Sequence, residues 1–300
     1  MPKKRWTRRL VACLAMLAAL VLVAAGCGGR EAGTGQQAKR INIGYIAWDE
    51  AIAVSNLYKV LLQRQGYQVQ LTELEAGPTY AGLARGNIDL FMDAWLPQTH
   101  ADYWNQYRGQ LEDLGVWYDQ ATLNIAVPKY LTDVNSLQDL RGRGAEFHGT
   151  ITGIDPGAGL SRVTRDQMIP QYGLAGEYTL QTSSTTAMLA SLERAINERQ
   201  PIVVTLWHPH WAYAKYPIKD LADPRGAMGA AEQIHAAGRK GFSADFPDVT
   251  GMVHKFRLND QQLASLENEI NSAPKGQEEA AAQRWADANP QVIATFAPTR

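Results

Sequence analysis

Three tryptophans stand at or just after the ends of apolar segments whose composition predicts β-strands. Trp48 follows INIGYIA, Trp95 ends IDLFMDAW, and Trp207 ends PIVVTLW. A single buried tryptophan is most often a core residue. Open parallel sheets, however, bind ligands at the carboxyl ends of their strands, so three indoles in equivalent positions could line one pocket. Indole faces attract a diffuse cation such as a quaternary ammonium group, and each contact contributes about 0.5–2 kcal/mol. The pattern therefore indicates an aromatic site for such a cation.

Two further features are candidates for an anion-binding part of the same site. A turn of small residues (Pro156-Gly157-Ala158-Gly159-Leu160) separates a predicted strand from a predicted helix. Glycine lets backbone N–H groups approach a ligand, and the N-terminus of a helix favours negative charge. His100 follows Trp95 by five residues, close enough to face the same pocket. A glycine turn or a lone histidine is common in proteins, and neither alone predicts a site.

The segment WHPHW (207–211) allows two other interpretations of this region. His208 and His210 could ligate a metal, but a metal site needs a third or fourth ligand, and the sequence supplies neither a cysteine pair nor clustered histidines elsewhere. Acidic residues near His100 could instead form the acid–base set of an enzyme, namely Asp49, Glu50 and Asp93. No nucleophile motif such as G-x-S-x-G accompanies them. We therefore expect no catalysis, no metal and no cofactor, and we interpret His210 and Trp211 as packing residues.

Predicted strands and helices alternate along most of the chain. The strands are expected at 41–47, 67–74, 88–95, 122–128, 149–155, 178–182 and 201–207. Strands separated by helices indicate an α/β fold with mainly parallel sheets.

The alternation divides into two blocks, which predicts two lobes. Lobe I is expected to comprise 41–120 with the C-terminal segment 231–300, and lobe II 121–230. Two hinge crossings, near 117–121 and 223–233, would then join the lobes, and the cleft between them is the natural ligand site.

The N-terminal segment predicts export. Residues 1–26 combine a basic start with an uncharged apolar run, the layout of a signal peptide. The run ends in Ala24-Ala25-Gly26-Cys27, which resembles the lipobox of bacterial lipoproteins and predicts lipidation of Cys27. The alternative is an ordinary signal peptide with an incidental cysteine. Residues 27–40 have the composition of a flexible tether.

Removing residues 1–26 leaves 24 basic and 30 acidic residues, a net charge of −6, which argues against nucleic acid as a partner. We expect an extracytoplasmic protein, anchored to the membrane at the cell surface or in the periplasm.

Several blocks together resemble the glycine betaine-binding proteins of osmoprotectant ABC importers. They are GYIAWDEAIAVSNL, EAGPTYAGLARGNIDLFMDAWLPQTHADYW, GIDPGAGL, WHPHWAYAKY and IHAAGRKGF. The resemblance implies the two-lobed, type II-like fold of periplasmic binding proteins. It also implies ligand-binding roles for particular residues: a cage of Trp48, Trp95 and Trp207 around the trimethylammonium group, with His100 and the backbone amides of Gly159 and Leu160 on the carboxylate.

The resemblance also implies the partners. These would be a small betaine, the permease subunits of the importer and the membrane through a lipid anchor, with the protein itself a monomer. Other quaternary amines remain alternatives to glycine betaine, including choline, carnitine and proline betaine, as do a metal-binding or an enzymatic exported protein.

Overall fold

The structure is a computed structural model that describes residues 39–298. The predicted signal peptide, Cys27 and nearly all of the predicted tether lie outside these residues. The strands are β1 (Arg40–Tyr45), β2 (Gln68–Glu73), β3 (Leu90–Leu96), β4 (Leu111–Pro128), β5 (Thr150–Thr152), β6 (Thr179–Gln181), β7 (Val204–His208), β8 (Ile218–Asp220) and β9 (Glu232–Arg239).

The helices fill the connections between the strands and form most of the C-terminal segment. They are α1 (Asp49–Arg64), α2 (Ala76–Arg85), α3 (Ala101–Tyr107), α4 (Gly159–Val163), α5 (Ile169–Gln171), α6 (Thr185–Glu198), α7 (Ala212–Lys215), α8 (Phe242–Asp245), α9 (Pro247–Lys255), α10 (Asp260–Asn271), α11 (Glu278–Ala288) and α12 (Pro290–Ile293). A π-helical turn, Thr164–Met168, joins α4 to α5. Within the described part of the chain, no helix is both long and apolar enough to cross a bilayer.

The strands lie in the order β2-β1-β3-β9-β4-β7-β5-β6, and β8 pairs with β4. β1 is parallel to β2 and β3, and β5 is parallel to β6 and β7, as their helical connections require. β9 is antiparallel to β3 and β4, and β4 is antiparallel to β7 and β8. The sheet is therefore mixed. The prediction of parallel strands joined by crossover helices is confirmed for β1, β2 and β3 and for β5, β6 and β7. The antiparallel pairs involve β4 and β9, which lie between these two groups.

The strand β4 has 18 residues and serves both parts of the sheet. Its residues from Leu111 to Ala121 pair with β9, whereas those from Thr122 to Pro128 pair with β7 and β8. The register against β9 shifts at three places between Asp113 and Ala121. Such irregularities bend a strand and increase its twist, so β4 changes direction where it leaves one group of strands for the other.

Two strand ends and two helix starts come together near the centre of this arrangement. All seven residues of β3 are buried, as are four of the five residues of β7. Helix α1 begins directly after β1 and buries most of its length, including its first two residues, Asp49 and Glu50. The helix α4 begins just after β5, at the glycine turn. These ends carry the residues of the site described next.

Candidate ligand-binding site

One cavity brings together every residue that the sequence predicted for ligand binding. The space that its lining residues surround, including the part open to solvent, is about 270 Å³. The predicted residues that line it are Trp48, Trp95, His100, Gly159, Leu160 and Trp207. The other lining residues were not predicted to belong to the pocket: Glu50, Thr99, Leu123, Ile154 and Ala158. The wall is therefore aromatic and aliphatic, with few polar groups.

The three indoles lie where separate elements end. Trp48 is the residue before the first turn of α1, Trp95 is the sixth residue of β3, and Trp207 is the fourth of β7. All three are at most 5% exposed. Each indole N–H donates to a carboxylate: Trp48 to Asp155 (3.0 Å), Trp95 to Asp93 (2.9 Å) and Trp207 to Glu50 (2.9 Å). Since the N–H groups are bonded within the protein, the rings offer the cavity their π surfaces and no free donor.

His100 contributes a neutral hydrogen-bond donor. Its Nδ1 lies 3.1 Å from the backbone nitrogen of Trp95 and 3.2 Å from the hydroxyl of Tyr80. The backbone N–H can only donate, so Nδ1 accepts and the proton of the neutral ring is on Nε2. Burial, with the positive charge of Arg162, lowers the pKa of His100 to about 3. The Nε2 atom is buried and has no partner among the described residues.

The glycine turn, which is distant from His100 in the sequence, places backbone donors on the wall of the same cavity. Gly159 is the first residue of α4, and both Gly159 and Leu160 line the cavity. Among the described residues, their N–H groups have no backbone acceptor, as is usual in the first turn of a helix. A Cβ atom at position 159 would clash with the carbonyl oxygen and side chain of Thr99. Glycine is therefore required for α4 to approach the turn that carries His100.

Glu232, the first residue of β9, holds that turn from the other side. Its carboxylate accepts hydrogen bonds from the N–H groups of Gln98 and Thr99 and from the hydroxyl of Thr99. Glu232 is almost fully buried, at 4% exposed. Glu232 was not predicted as part of the site, because nothing in the sequence around it shows that β9 lies beside the end of β3.

Residues 39–288 match the family described as the substrate-binding domain of the ABC-type glycine betaine transport system. The chain belongs to this family. Such domains are components of transport systems and are not enzymes. The carboxylates near His100 are therefore not assigned a catalytic role.

A curated relative of this glycine betaine family and two solved structures are similar to the chain. The chain is 38% identical over 154 residues to the glycine betaine/carnitine transport binding protein GbuC of Listeria monocytogenes. This alignment covers 51% of the chain and 50% of that protein. The alignment thus spans about half the length of this curated relative.

The solved structures cover more. The glycine/betaine/L-proline-binding protein ProX of Borrelia burgdorferi has a TM-score of 0.81 and 33% identity over 87% of the chain and 97% of ProX. The lactococcal OpuAC complexed with glycine betaine, in its closed-liganded conformation, has a TM-score of 0.79 and 30% identity over 87% of the chain and all (100%) of OpuAC. The fold is accordingly that of the two-lobed, type II-like periplasmic binding proteins, as the sequence predicted.

In this family member, the histidines of WHPHW do not form a metal site with each other. His208 is half-buried, lies 2.8 Å from Asp220 and stacks on Tyr213. His210 packs edge-on against Trp207 at 4.6 Å and lies 3.3 Å from Asp49. No group of three or more potential ligands occurs within the described residues. His210 is thus a packing residue behind the cavity, as predicted, and His208 is paired with Asp220.

A group of buried acidic residues lies behind the indoles of this betaine-family site. Burial, together with the charge of Asp93, raises the pKa of Glu50, and burial raises that of Asp93. Burial also raises the pKa of Glu267 on α10, and the charges of Glu50 and Asp49 add to this effect. Although burial alone would raise it, His210 holds the pKa of Asp49 below its ordinary value. Behind the aromatic wall, Glu50, Asp93 and Glu267 therefore favour the neutral form, whereas Asp49 favours the ionised form.

Proposed function

We propose that this chain is the extracytoplasmic substrate-binding lipoprotein of an ABC importer that captures glycine betaine or a similar betaine. The trimethylammonium group would be enclosed by Trp48, Trp95 and Trp207. The carboxylate would accept hydrogen bonds from His100 and from the backbone N–H groups of Gly159 and Leu160. The loaded protein would then deliver the betaine to the permease.

The observation that carries this proposal is the pairing of two chemistries in one small cavity. Indole faces attract a cation that cannot donate a hydrogen bond, and they exclude water at the same time. Among residues 39–298 the Nε2–H of His100 is a buried donor without a partner, and a buried polar group of this kind is costly unless a ligand satisfies it. A molecule with a quaternary ammonium at one end and a carboxylate at the other satisfies both. A free metal ion satisfies neither.

Anchoring and delivery rest on other observations. The segment that ends in Cys27 has the composition of a lipoprotein signal, and residues 27–40 are long enough to separate the folded domain from a membrane. Lipidation at Cys27 would keep the protein beside its permease. Incorporation of labelled palmitate into the wild type but not into Cys27→Ala, after expression in a bacterium, is the expected result; labelling of both proteins would contradict it.

Isothermal titration of the exported protein tests ligand class directly. Titrants are glycine betaine, proline betaine, carnitine, choline and zinc chloride. We expect saturable one-site binding of glycine betaine in the micromolar range or tighter, weaker binding of choline, and none of zinc. Preferential binding of choline would show that the ligand is another quaternary amine and not a betaine. Binding of zinc alone would refute the proposal.

A further inference from the structure

Every indole of the proposed cage donates its N–H to a carboxylate. The acceptors come from three separate elements: Asp93 from β3, Glu50 from α1, and Asp155 from the loop after β5. Asp93 and Glu50 are each 1% exposed. Neutral acceptors such as backbone carbonyls are far more common partners for a buried donor, and a buried carboxylate is costly. The repeated choice of a carboxylate therefore requires a reason beyond satisfying an N–H.

A carboxylate that accepts an indole N–H changes the ring itself. Hydrogen bonds in a low-dielectric interior polarise the groups they join. A negative acceptor at the N–H edge shifts electron density towards the π face, which is the surface that attracts a cation. The same hydrogen bond fixes the orientation of the ring. Both effects favour a cation over an uncharged group of equal size. The polarisation of the ring depends on the charge of the acceptor, whereas the orientation of the ring does not.

We propose that Asp93, Glu50 and Asp155 are specificity-determining residues that act through the cage indoles and set the preference for a cationic head group. This inference rests on the proposed function, because it assumes that the cage binds the cation. Asp93 and Asp155 do not line the cavity and are positioning and polarising residues that act on the ligand through an indole, whereas Glu50 also lines the cavity.

The ligand pair that tests this inference differs only in charge at the head group. Glycine betaine has a trimethylammonium group, and the anion of tert-butylacetic acid has a tert-butyl group of the same shape on the same carboxylate. A purely structural role for Asp93 lowers the affinity for both ligands equally. A polarising role lowers the affinity for glycine betaine selectively, so the ratio of the two dissociation constants is the readout.

The variants are Asp93→Asn, Asp155→Asn and a matched control, Asp49→Asn. Each keeps an oxygen able to accept the indole N–H and removes the charge. Asp49 also accepts from an indole, that of Trp211 at 2.5 Å, but neither residue lines the cavity. Asp155 is only half-buried, so its variant remains informative if Asp93→Asn does not fold. Isothermal titration of each folded variant with both ligands gives the ratios.

In a buffer alkaline enough to ionise Asp93, whose pKa is raised by burial, we expect Asp93→Asn and Asp155→Asn to reduce the preference for glycine betaine by about threefold to tenfold, while Asp49→Asn leaves it unchanged. An unchanged ratio in both test variants would overturn the inference, as would an equal reduction in the control, which would indicate a diffuse field rather than action through the indoles. If the wild type does not prefer glycine betaine over the tert-butyl analogue, the proposed function fails first.

The pH dependence gives a second readout. Because burial raises the pKa of Asp93 and of Glu50, both carboxyls ionise only at higher pH than ordinary ones. Asp49, Glu267 and Tyr80 are the other titratable groups whose interactions reach this pair. The preference of the wild type for glycine betaine should therefore increase as the pH rises above the range in which ordinary carboxyls ionise, and less so in Asp93→Asn. Parallel profiles in the two proteins would count against the inference.

Discussion

At the scale of residues, the two ends of the cavity use opposite means of recognition. The indoles present polarisable surfaces without a free donor, whereas His100 and the start of α4 present donors that have no acceptor in the described part of the chain. The neutral state of His100 matters here, because a charged imidazolium would repel the cation at the other end. Recognition of the carboxylate therefore depends on a directed hydrogen bond instead of a net positive charge.

Replacing a cage tryptophan by alanine removes both the cation–π attraction and the apolar cover of the head group. For Trp48→Ala, Trp95→Ala and Trp207→Ala we expect weaker binding of glycine betaine by about 1–3 kcal/mol each. Trp104→Ala is the control, since Trp104 is half-buried and does not line the cavity. Titration calorimetry on folded proteins measures the effect. Wild-type affinity in all three variants would end the cage hypothesis.

Replacing His100 by alanine should weaken glycine betaine more than choline, because choline has no carboxylate for Nε2–H to bind. With a pKa of about 3, His100 stays neutral throughout ordinary buffers. The ratio of wild-type to His100→Ala affinity for glycine betaine should therefore be constant from about pH 8 to about pH 5. A histidine of ordinary pKa, about 6.5, would gain charge in that range and raise the ratio as the pH falls. Equal losses for both ligands would assign His100 to scaffolding.

Six of the eleven lining residues were predicted from the sequence, because their signals are local. Trp48, Trp95 and Trp207 follow recognisable strands, and the glycine turn opens a recognisable helix. The carboxylate partners of the indoles were not predictable, because Trp48–Asp155 and Trp207–Glu50 join residues separated by more than 100 positions. Long-range pairs of this kind depend on the topology of the sheet, which a single sequence does not reveal.

At the scale of elements, β4 and β9 mark the limit of sequence interpretation. The second half of β4, TLNIAVP, has an apolar alternation and was predicted. The first half, LEDLGVWYDQ, contains Gly115 and four acidic or amide side chains, and its pairing with β9 is irregular. Irregular pairing breaks the period of two that identifies a strand. The residues of β9 were accordingly assigned to a crossing and a tail rather than to a central strand.

Helix α10 contributes a buried acid that should make stability depend on pH. The pKa of Glu267 is raised, so its neutral form is favoured in the fold, and stability is lost as the pH rises through that pKa. Glu267→Gln removes this ionisation. We expect the variant to gain stability relative to the wild type by up to about 1.4 kcal/mol per pH unit above about pH 4.5.

Urea unfolding at several pH values, followed by circular dichroism, measures this difference for Glu267→Gln. The control is Glu269→Gln on the same helix, whose side chain is 37% exposed and pairs with Arg284. A difference from the wild type that is the same at acid and alkaline pH would show that Glu267 does not ionise differently in the fold.

At the scale of the whole molecule, many hydrogen bonds join the two predicted lobes around the cavity. Tyr103 donates to the carbonyl of Gly157 at 2.9 Å, and Arg162 donates to the carbonyl of Gln98 at 3.2 Å. Trp48–Asp155 adds a further link. A ligand held between residues 48–100 and residues 159–207 would reinforce all of these contacts. We therefore propose that the ligand stabilises the arrangement described here by population shift.

The corresponding prediction concerns the size of the molecule in solution. Without ligand, the proposed lobes should separate by rotation about the crossings near 117–121 and 223–233. Small-angle X-ray scattering should then give a smaller radius of gyration with saturating glycine betaine than without. The tert-butyl analogue at a non-saturating concentration serves as a control for solvent contrast. An unchanged radius, with binding confirmed by calorimetry, would exclude hinge closure as the mechanism.

The contact between Gly159 and Thr99 has a consequence for evolution. Any side chain at position 159 would clash with the neighbouring turn, so substitutions there cannot change the geometry of the site in small steps. Leu123 and Ile154, on the same cavity wall, are aliphatic and can change size in small steps. Descendants of this protein should therefore diverge first in the size of the molecule they accept, while the donors at positions 100, 159 and 160 persist. The close approach of Gly159 to Thr99 is the part of the site with the least freedom to mutate. It should be retained even in descendants that bind different ligands.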